Sequence, residues 1–363
     1  MIMNLEYKPD WEKTKQHYLA WWQHEYFGRC CLWVTAPKEK AKLEKKPPPP
    51  SDVQQRWTDL GYLSALNHYT WETTFYGGES FPVWHGGYPG HTAIPTFLGC
   101  PVHLDQRTGW WEPILKDSDW DCSCLKINEE GKWWQFTLQL LHRAVVDSQG
   151  KAIPSIGAFG GAGDTLAALR GTEQLLYDLS DCPEKVARAE EFLMEMWIQV
   201  YSIFYEIVSP GSDGGSTCWF PLWAPGKFYA SQCDFSYLIS PSHFQKIFLP
   251  VIEKQIEYLD YAVFHVDGVG AFRHVPALCQ LPKLKAIQIL PGAGKLSPLH
   301  YLSILQYVQA HKKNLHLTLP CEEVKLALDC LSARGLFIAT SCSSEEEAKL
   351  LLKQVEKWSR VGG

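Results

Sequence analysis

A chain of 363 residues with 46% hydrophobic and 20% charged residues has the composition of a globular protein with a sizeable core, which excludes a disordered or fibrous chain. Its formal net charge of -6 gives no electrostatic ground for nucleic acid or an anionic membrane as partner, so small molecules are the expected ligands. No apolar run is long enough to cross a bilayer and the N-terminus "MIMNLEYKPDWEKTKQ" carries charges where a signal peptide needs an apolar stretch, so the expected location is the cytoplasm.

From the N-terminus, 11–27 reads as a helix of mixed polarity, followed by the β-branched and aromatic run "CCLWVT". The stretch "KEKAKLEKKPPPPSD" combines like charges with four consecutive prolines and is expected to be a solvated loop. Ser51 and Asp52 then cap a helix over "VQQRWTDLGYLSALNHYTWETTF". Between 77 and 131 regular patterning gives way to glycine, proline, histidine and tryptophan, and this segment reads as an irregular insert or a lid. Afterwards short apolar runs alternate with helical patterns, among them a long helix over 183–208 opened by a proline.

Eight runs qualify as strands: "CLWVT", "SFPVW", "AIPSIG", "STCWF", "AVFHV", "AIQIL", "LHLTL" and "LFIAT". Apolar strands without alternation, separated by helices, predict a parallel sheet covered on both faces, and eight such units predict a single (β/α)8 TIM barrel domain over the whole chain. In a barrel, chemistry gathers at the C-terminal ends of the strands. The candidates there are Thr35, His85, Asp164, Trp219, His265, Asp267, Gln288, His316, Thr318, Thr340 and Cys342. Asp164 has two readings, a helix cap or a side chain at the barrel mouth. Sixteen tryptophans, several in pairs, read as packing or as a wall for a flat ring. The twelve cysteines lack the spacing of a disulfide framework and read mostly as buried thiols.

The segment "KAIPSIGAFGGAGDTLAALRGTEQLLYDLSDCPEKVARAEEFL", then "DFSYLISPSHFQKIFLPVIEKQIEYL", "FHVDG" and "GLFIATSCSSEEEAKLLL" resemble, in this order, the uroporphyrinogen decarboxylase superfamily. The resemblance covers about Ala152 to the C-terminus and is faint before it. It implies a (β/α)8 barrel and one of two chemistries. The decarboxylases of the superfamily need no metal and bind a tetrapyrrole with eight carboxylates through an N-terminal arginine motif. Here "GRCCLWVTAPKEK" supplies only Arg29 and Lys38, and Glu79 is the nearest stand-in for the decarboxylase aspartate. The other branch comprises zinc-dependent methyltransferases that work with a corrinoid protein and a thiol. Through it the resemblance implies a metal, zinc or another divalent ion, on His265, Asp267 and Cys342, with Asp267 replacing the branch's first cysteine.

The leading expectation is therefore a metal-assisted methyltransferase of the corrinoid or thiol type, acting as a monomer or homodimer. His265, Asp267, Gln288 and His316 are its catalytic candidates, and Trp219, Asp164, His85 and Thr340 its substrate-binding ones. The alternative is a metal-free decarboxylase or lyase acting on a cyclic small molecule, with Asp267 and His265 handling protons. A third reading is a barrel that binds a small molecule without chemistry.

Overall fold

In a computed structural model the structure describes residues 5–42, 45–87 and 89–360. Leu43 and Glu44 of the charged loop and Tyr88 of the insert lie outside the described residues. The strands in chain order are β1 (Cys31–Pro37), β2 (Thr74–Gly78), β3 (Val83–Trp84), β4 (Val102–Leu104), β5 (Gly109–Trp111), β6 (Ile153–Pro154), β7 (Phe228–Gln232), β8 (Tyr261–Asp267), β9 (Ala286–Leu290), β10 (Asn314–Thr318) and β11 (Leu336–Ser341).

Strands β7 to β11 and β1 form consecutive parallel pairs in a seven-stranded sheet of order β2-β1-β11-β10-β9-β8-β7, with β2 antiparallel at the edge. These strands are buried almost throughout, as expected of a parallel sheet with both faces covered. At their C-terminal ends burial relaxes: Gln232, Asp267 and Leu290 are half-buried, and Thr318 and Ser341 are exposed. Because the strands run parallel, these residues share one rim. The register sets Gln232, His265, Gln288 and His316 side by side on four adjacent strands, so polar residues far apart in the chain form one row.

The eight-unit expectation holds at the level of a mixed α/β architecture dominated by parallel strands. Among the described residues the hydrogen bonding is not one closed ladder: β3 pairs with β6 in parallel, and Ser155 bridges Thr217, apart from the seven-stranded sheet. β2 is one reason. It takes the free edge of β1, and its Gly78 has φ +61 with its Cα so close to β1 that a Cβ would lie 2.1 Å from the Leu32 carbonyl oxygen.

Two assignments need correction. "STCWF" makes only isolated bridges, from Ser216 to Ala224 and from Thr217 to Ser155, while the neighbour of β8 is β7, "FYASQ". The helix expected after Asp52 is two helices, Val53–Thr58 and Leu60–Thr73, and its last residues enter β2. Asp52 and Asp59 each cap one, accepting from the N–H groups of Gln55 and Tyr62. The segment 77–131 holds β3, the β4–β5 hairpin and a short helix Ile94–Phe97, with irregular chain between them. The long helix Pro183–Val208 forms as expected, burying a stripe that includes Leu193, Trp197, Val200 and Phe204.

Arg29 and Glu79, weighed above against a substrate role, neutralise each other. The Arg29 guanidinium donates to both Glu79 oxygens at 2.7 and 2.6 Å, His17 Nδ1 lies 2.6 Å from Oε1, and the Leu32 N–H donates to Oε2 at 2.6 Å. Glu79 is 0% exposed, so this fork is a buried staple between the first helix, β1 and the β2–β3 turn. Burial alone would push the Glu79 carboxyl up. Arg29 and His17 outweigh it and bring it to about 2.

Candidate functional site

The row across the rim is hydrogen-bonded. His265 Nδ1 pairs with Gln288 Oε1, and Gln288 Nε2 lies 3.3 Å from His316 Nδ1. An amide oxygen can only accept and an amide nitrogen can only donate. His265 therefore carries its proton on Nδ1 and presents a lone pair at Nε2, while His316 accepts at Nδ1. Burial holds both imidazoles neutral: it lowers His316 to about 3, and it lowers His265 against the opposing pull of Gln288 and Asp267.

His265 Nε2 faces Asp267 Oδ2 at 3.9 Å, too far for a hydrogen bond. Two acceptors facing each other are favourable only with a donor or a cation between them, a bridging water or a metal ion. Asp234, two residues beyond β7, completes the group: one ligand atom from each of Asp234, His265 and Asp267 lies within 4.8 Å of the others. Asp267 Oδ1 is buried with no hydrogen-bond partner. Desolvation, helped by the Asp267 charge, raises the Asp234 carboxyl to about 6 although solvent reaches its side chain. An imidazole lone pair and two carboxylates form a hard to borderline donor set that fits a divalent cation such as zinc or manganese. Trp219 stands edge-on to His265 with ring centroids 5.1 Å apart, shielding one side.

Asp234 also belongs to the wall of a cavity of about 660 Å³, together with Asp164, Gln232, Phe235, Trp110 and Trp111. Asp164 opens the helix Asp164–Arg170, but Gly163 is the cap residue. The Asp164 carboxylate instead accepts from Gln232 Nε2 at 3.1 Å and from the Phe235 N–H at 2.9 Å. Burial and the charge of Asp234 raise it to about 7. Asp164 is therefore not the helix cap and lies on the cavity wall.

The remaining candidates divide. Cys342 is brought to Cys321 and Glu347 rather than to His265 and Asp267, which separates the expected ligand set. The divergence comes from strand position: Cys342 follows β11, three strands away from β8 in the sheet. Thr340 is buried in β11 with its hydroxyl lacking a hydrogen-bond partner. His85 follows β3 and belongs to neither the acidic cluster nor the cavity wall; Asn67 bonds its backbone on both sides at 2.9 and 2.8 Å, and burial lowers its imidazole to about 4. Thr35 contributes its carbonyl to the Cys342 N–H. Of the tryptophan pairs, Trp21 and Trp22 are core, whereas Trp110 and Trp111 line the cavity.

Asp234 is the residue that sequence reasoning missed. It stands two residues beyond β7, the strand in place of which the sequence suggests "STCWF", and it is the first residue of the "DFSYLIS" motif.

Neither a protein-family model nor a curated protein sequence matches the chain. Among solved structures, a methyltransferase from Methanosarcina mazei superposes over 95% of this chain and 98% of that chain, with a TM-score of 0.60 and 11% sequence identity. At that identity the likeness is one of fold. No described helix is long and apolar enough to cross a membrane.

Proposed function

We propose that the protein is an enzyme that holds a divalent cation on Asp234, His265 and Asp267 and uses it to activate a small molecule in the adjoining cavity for methyl transfer. In this proposal the chain forms one (β/α)8 barrel, with β3 and β6 as strands of the wall next to the seven-stranded sheet. The single observation that carries the site is the convergence of His265 with two carboxylates, one donor atom from each of Asp234, His265 and Asp267 lying within 4.8 Å of the others. The fold likeness to a methyltransferase favours the reaction class. A bound cation would supply Lewis acidity to an oxygen, nitrogen or sulfur atom of the substrate. Gln288 fixes the tautomer and plane of His265, Trp219 limits water on one side, and Asp234 joins the ligand set to the cavity where the substrate lies. The resemblance to corrinoid-dependent enzymes makes a methylated corrinoid the donor to try first.

The test has two arms. Manganese or zinc titrated into the purified chain is expected to bind once per chain at this site, and His265→Ala is expected to abolish that binding. Methylcobalamin with a small thiol is expected to lose its methyl group faster with the zinc-loaded wild type than with His265→Ala. A wild type that takes up no manganese and whose zinc uptake is unchanged in His265→Ala would overturn the metal site; demethylation equal to the protein-free rate would remove the methyl-transfer reading alone.

A second reading rests on the crowding of three carboxyl groups, Asp164, Asp234 and Asp267, around one cavity wall and rim. In a metal-free enzyme of the decarboxylase or lyase type, such groups would pass a proton to or from a cyclic substrate stacked on Trp111. Activity towards a substrate that survives exhaustive chelation would select this reading.

A further inference from the structure

A second cluster lies where β10, β11 and the last helix meet. Cys321 opens the turn after β10, Cys342 follows β11 directly, and Glu347 lies in the first turn of the helix Glu345–Trp358. The Sγ atoms of both cysteines and one Glu347 oxygen lie within 4.8 Å of one another. The scaffold around them is well defined. The Cys342 N–H donates to the Thr35 carbonyl on β1 at 2.8 Å. The Ser343 N–H and hydroxyl both donate to Glu347 Oε2, at 2.7 and 2.6 Å, which leaves Oε1 directed at Cys321 Sγ at 3.5 Å. Glu322 Oε2 lies 3.4 Å from the same sulfur. Among the described residues neither Glu322 nor Glu347 forms an ion pair.

We propose that Cys321, Cys342 and Glu347 form a further cation site, for a thiophilic divalent ion such as zinc, that ties the last strand and helix to the turn after β10. Two sulfurs and one carboxylate oxygen at these separations close on one ion with small side-chain rotations, since zinc takes sulfur at about 2.3 Å and carboxylate oxygen at about 2.0–2.2 Å. Sulfur donors select zinc or cadmium over magnesium or calcium. The two carboxylates beside Cys321 repel the thiolate that disulfide exchange requires, yet attract a dication, so the surroundings favour metal over a redox pair. On binding, each thiol releases its proton to solvent and each sulfur donates a lone pair to the ion. Three protein ligands leave a fourth position for water or Glu322. The site shares no residue with Asp234, His265 and Asp267 and does not depend on the function proposed for them.

Cadmium alone, titrated into the reduced full-length chain in a thiol-free buffer, provides the test because thiolate ligation gives a charge-transfer absorption in the ultraviolet. One thiolate-bound cadmium per chain is expected in the wild type. Cys321→Ser and Glu347→Gln, both at half-buried positions, are expected to weaken that band's apparent affinity by about tenfold or more, with circular dichroism confirming that each variant is folded. His265→Ala should leave the band unchanged. The proposal is overturned if the wild type shows no band, if the band survives unweakened in Cys321→Ser, or if His265→Ala removes it. Conversion of the wild type to a Cys321–Cys342 disulfide in air, with no cadmium taken up after reduction, would overturn it as well.

Discussion

Gln288 does the least visible work at the site. It is not part of the wall of the cavity of about 660 Å³, yet it is the residue through which His265 acquires one tautomer rather than the other. Replacing it with leucine keeps roughly the volume and removes the acceptor, so His265 would be free to turn or to carry its proton on Nε2. Gln288→Leu is expected to weaken divalent-metal binding by roughly 10–100-fold with little change in fold, as read by metal titration and circular dichroism. His265 and Asp267 could be singled out in the sequence because they end an apolar strand. Gln288 could be singled out on the same ground as the end of the apolar run "AIQIL", whereas Asp234, beyond β7, is brought to His265 only by the pairing of β7 with β8.

Two elements show how local chemistry and packing divide the task. In the antiparallel pair of β1 and β2, Gly78 combines φ +61 with a Cβ direction that points into the Leu32 carbonyl at 2.1 Å. Gly150 has a similar φ of +71 but nothing within 4 Å of its would-be Cβ. Gly150→Ala should cost about 1 kcal/mol, the strain of the left-handed region alone, while Gly78→Ala should cost at least about 2 kcal/mol more through the clash. Urea unfolding midpoints of the two variants compare them directly. On the helix Pro183–Val208, Glu190 is 2% exposed, accepts from the Gly163 N–H at 2.9 Å through Oε2, and leaves Oε1 without a partner. Burial raises its carboxyl from 4.5 to about 8. A raised carboxyl favours the folded state fully below its unfolded value and loses that contribution as pH climbs through the folded one. Glu190→Gln keeps the acceptor and removes the ionisation, so its melting temperature should exceed that of the wild type by a margin that widens from pH 5 to pH 9.

Across the whole molecule, groups of opposite tendency shape the dependence of stability on pH. Burial holds His85 and His91 to about 4 and His316 to about 3, so the folded chain binds fewer protons there than the unfolded one, whose histidines titrate near 6.5. Their contribution is complete above 6.5 and fades as pH falls towards 3. Glu79, held near 2, adds a contribution present above 4.5 that is lost as pH falls through 2. On the other side, Asp164 at about 7 and Glu190 at about 8 withdraw stability as pH rises through those values. The free energy of unfolding is therefore expected to peak between about pH 4.5 and 6.5 and to fall on both flanks, as denaturant titrations at stepped pH would show. The sequence by itself determined the parallel α/β character, because strands such as "AVFHV" and "AIQIL", covered on both faces, must be apolar along their whole length. It also determined that His265 and Asp267 end such a strand. Strand β7 is hard to read from sequence because "FYASQ" is short, has no β-branched residue and ends in two polar residues. Only the tertiary structure decided which polar residues share a site. Register placed Asp234 beside His265 and Asp267 and carried Cys342 away to Cys321 and Glu347, since proximity across a sheet depends on pairing order and not on distance along the chain.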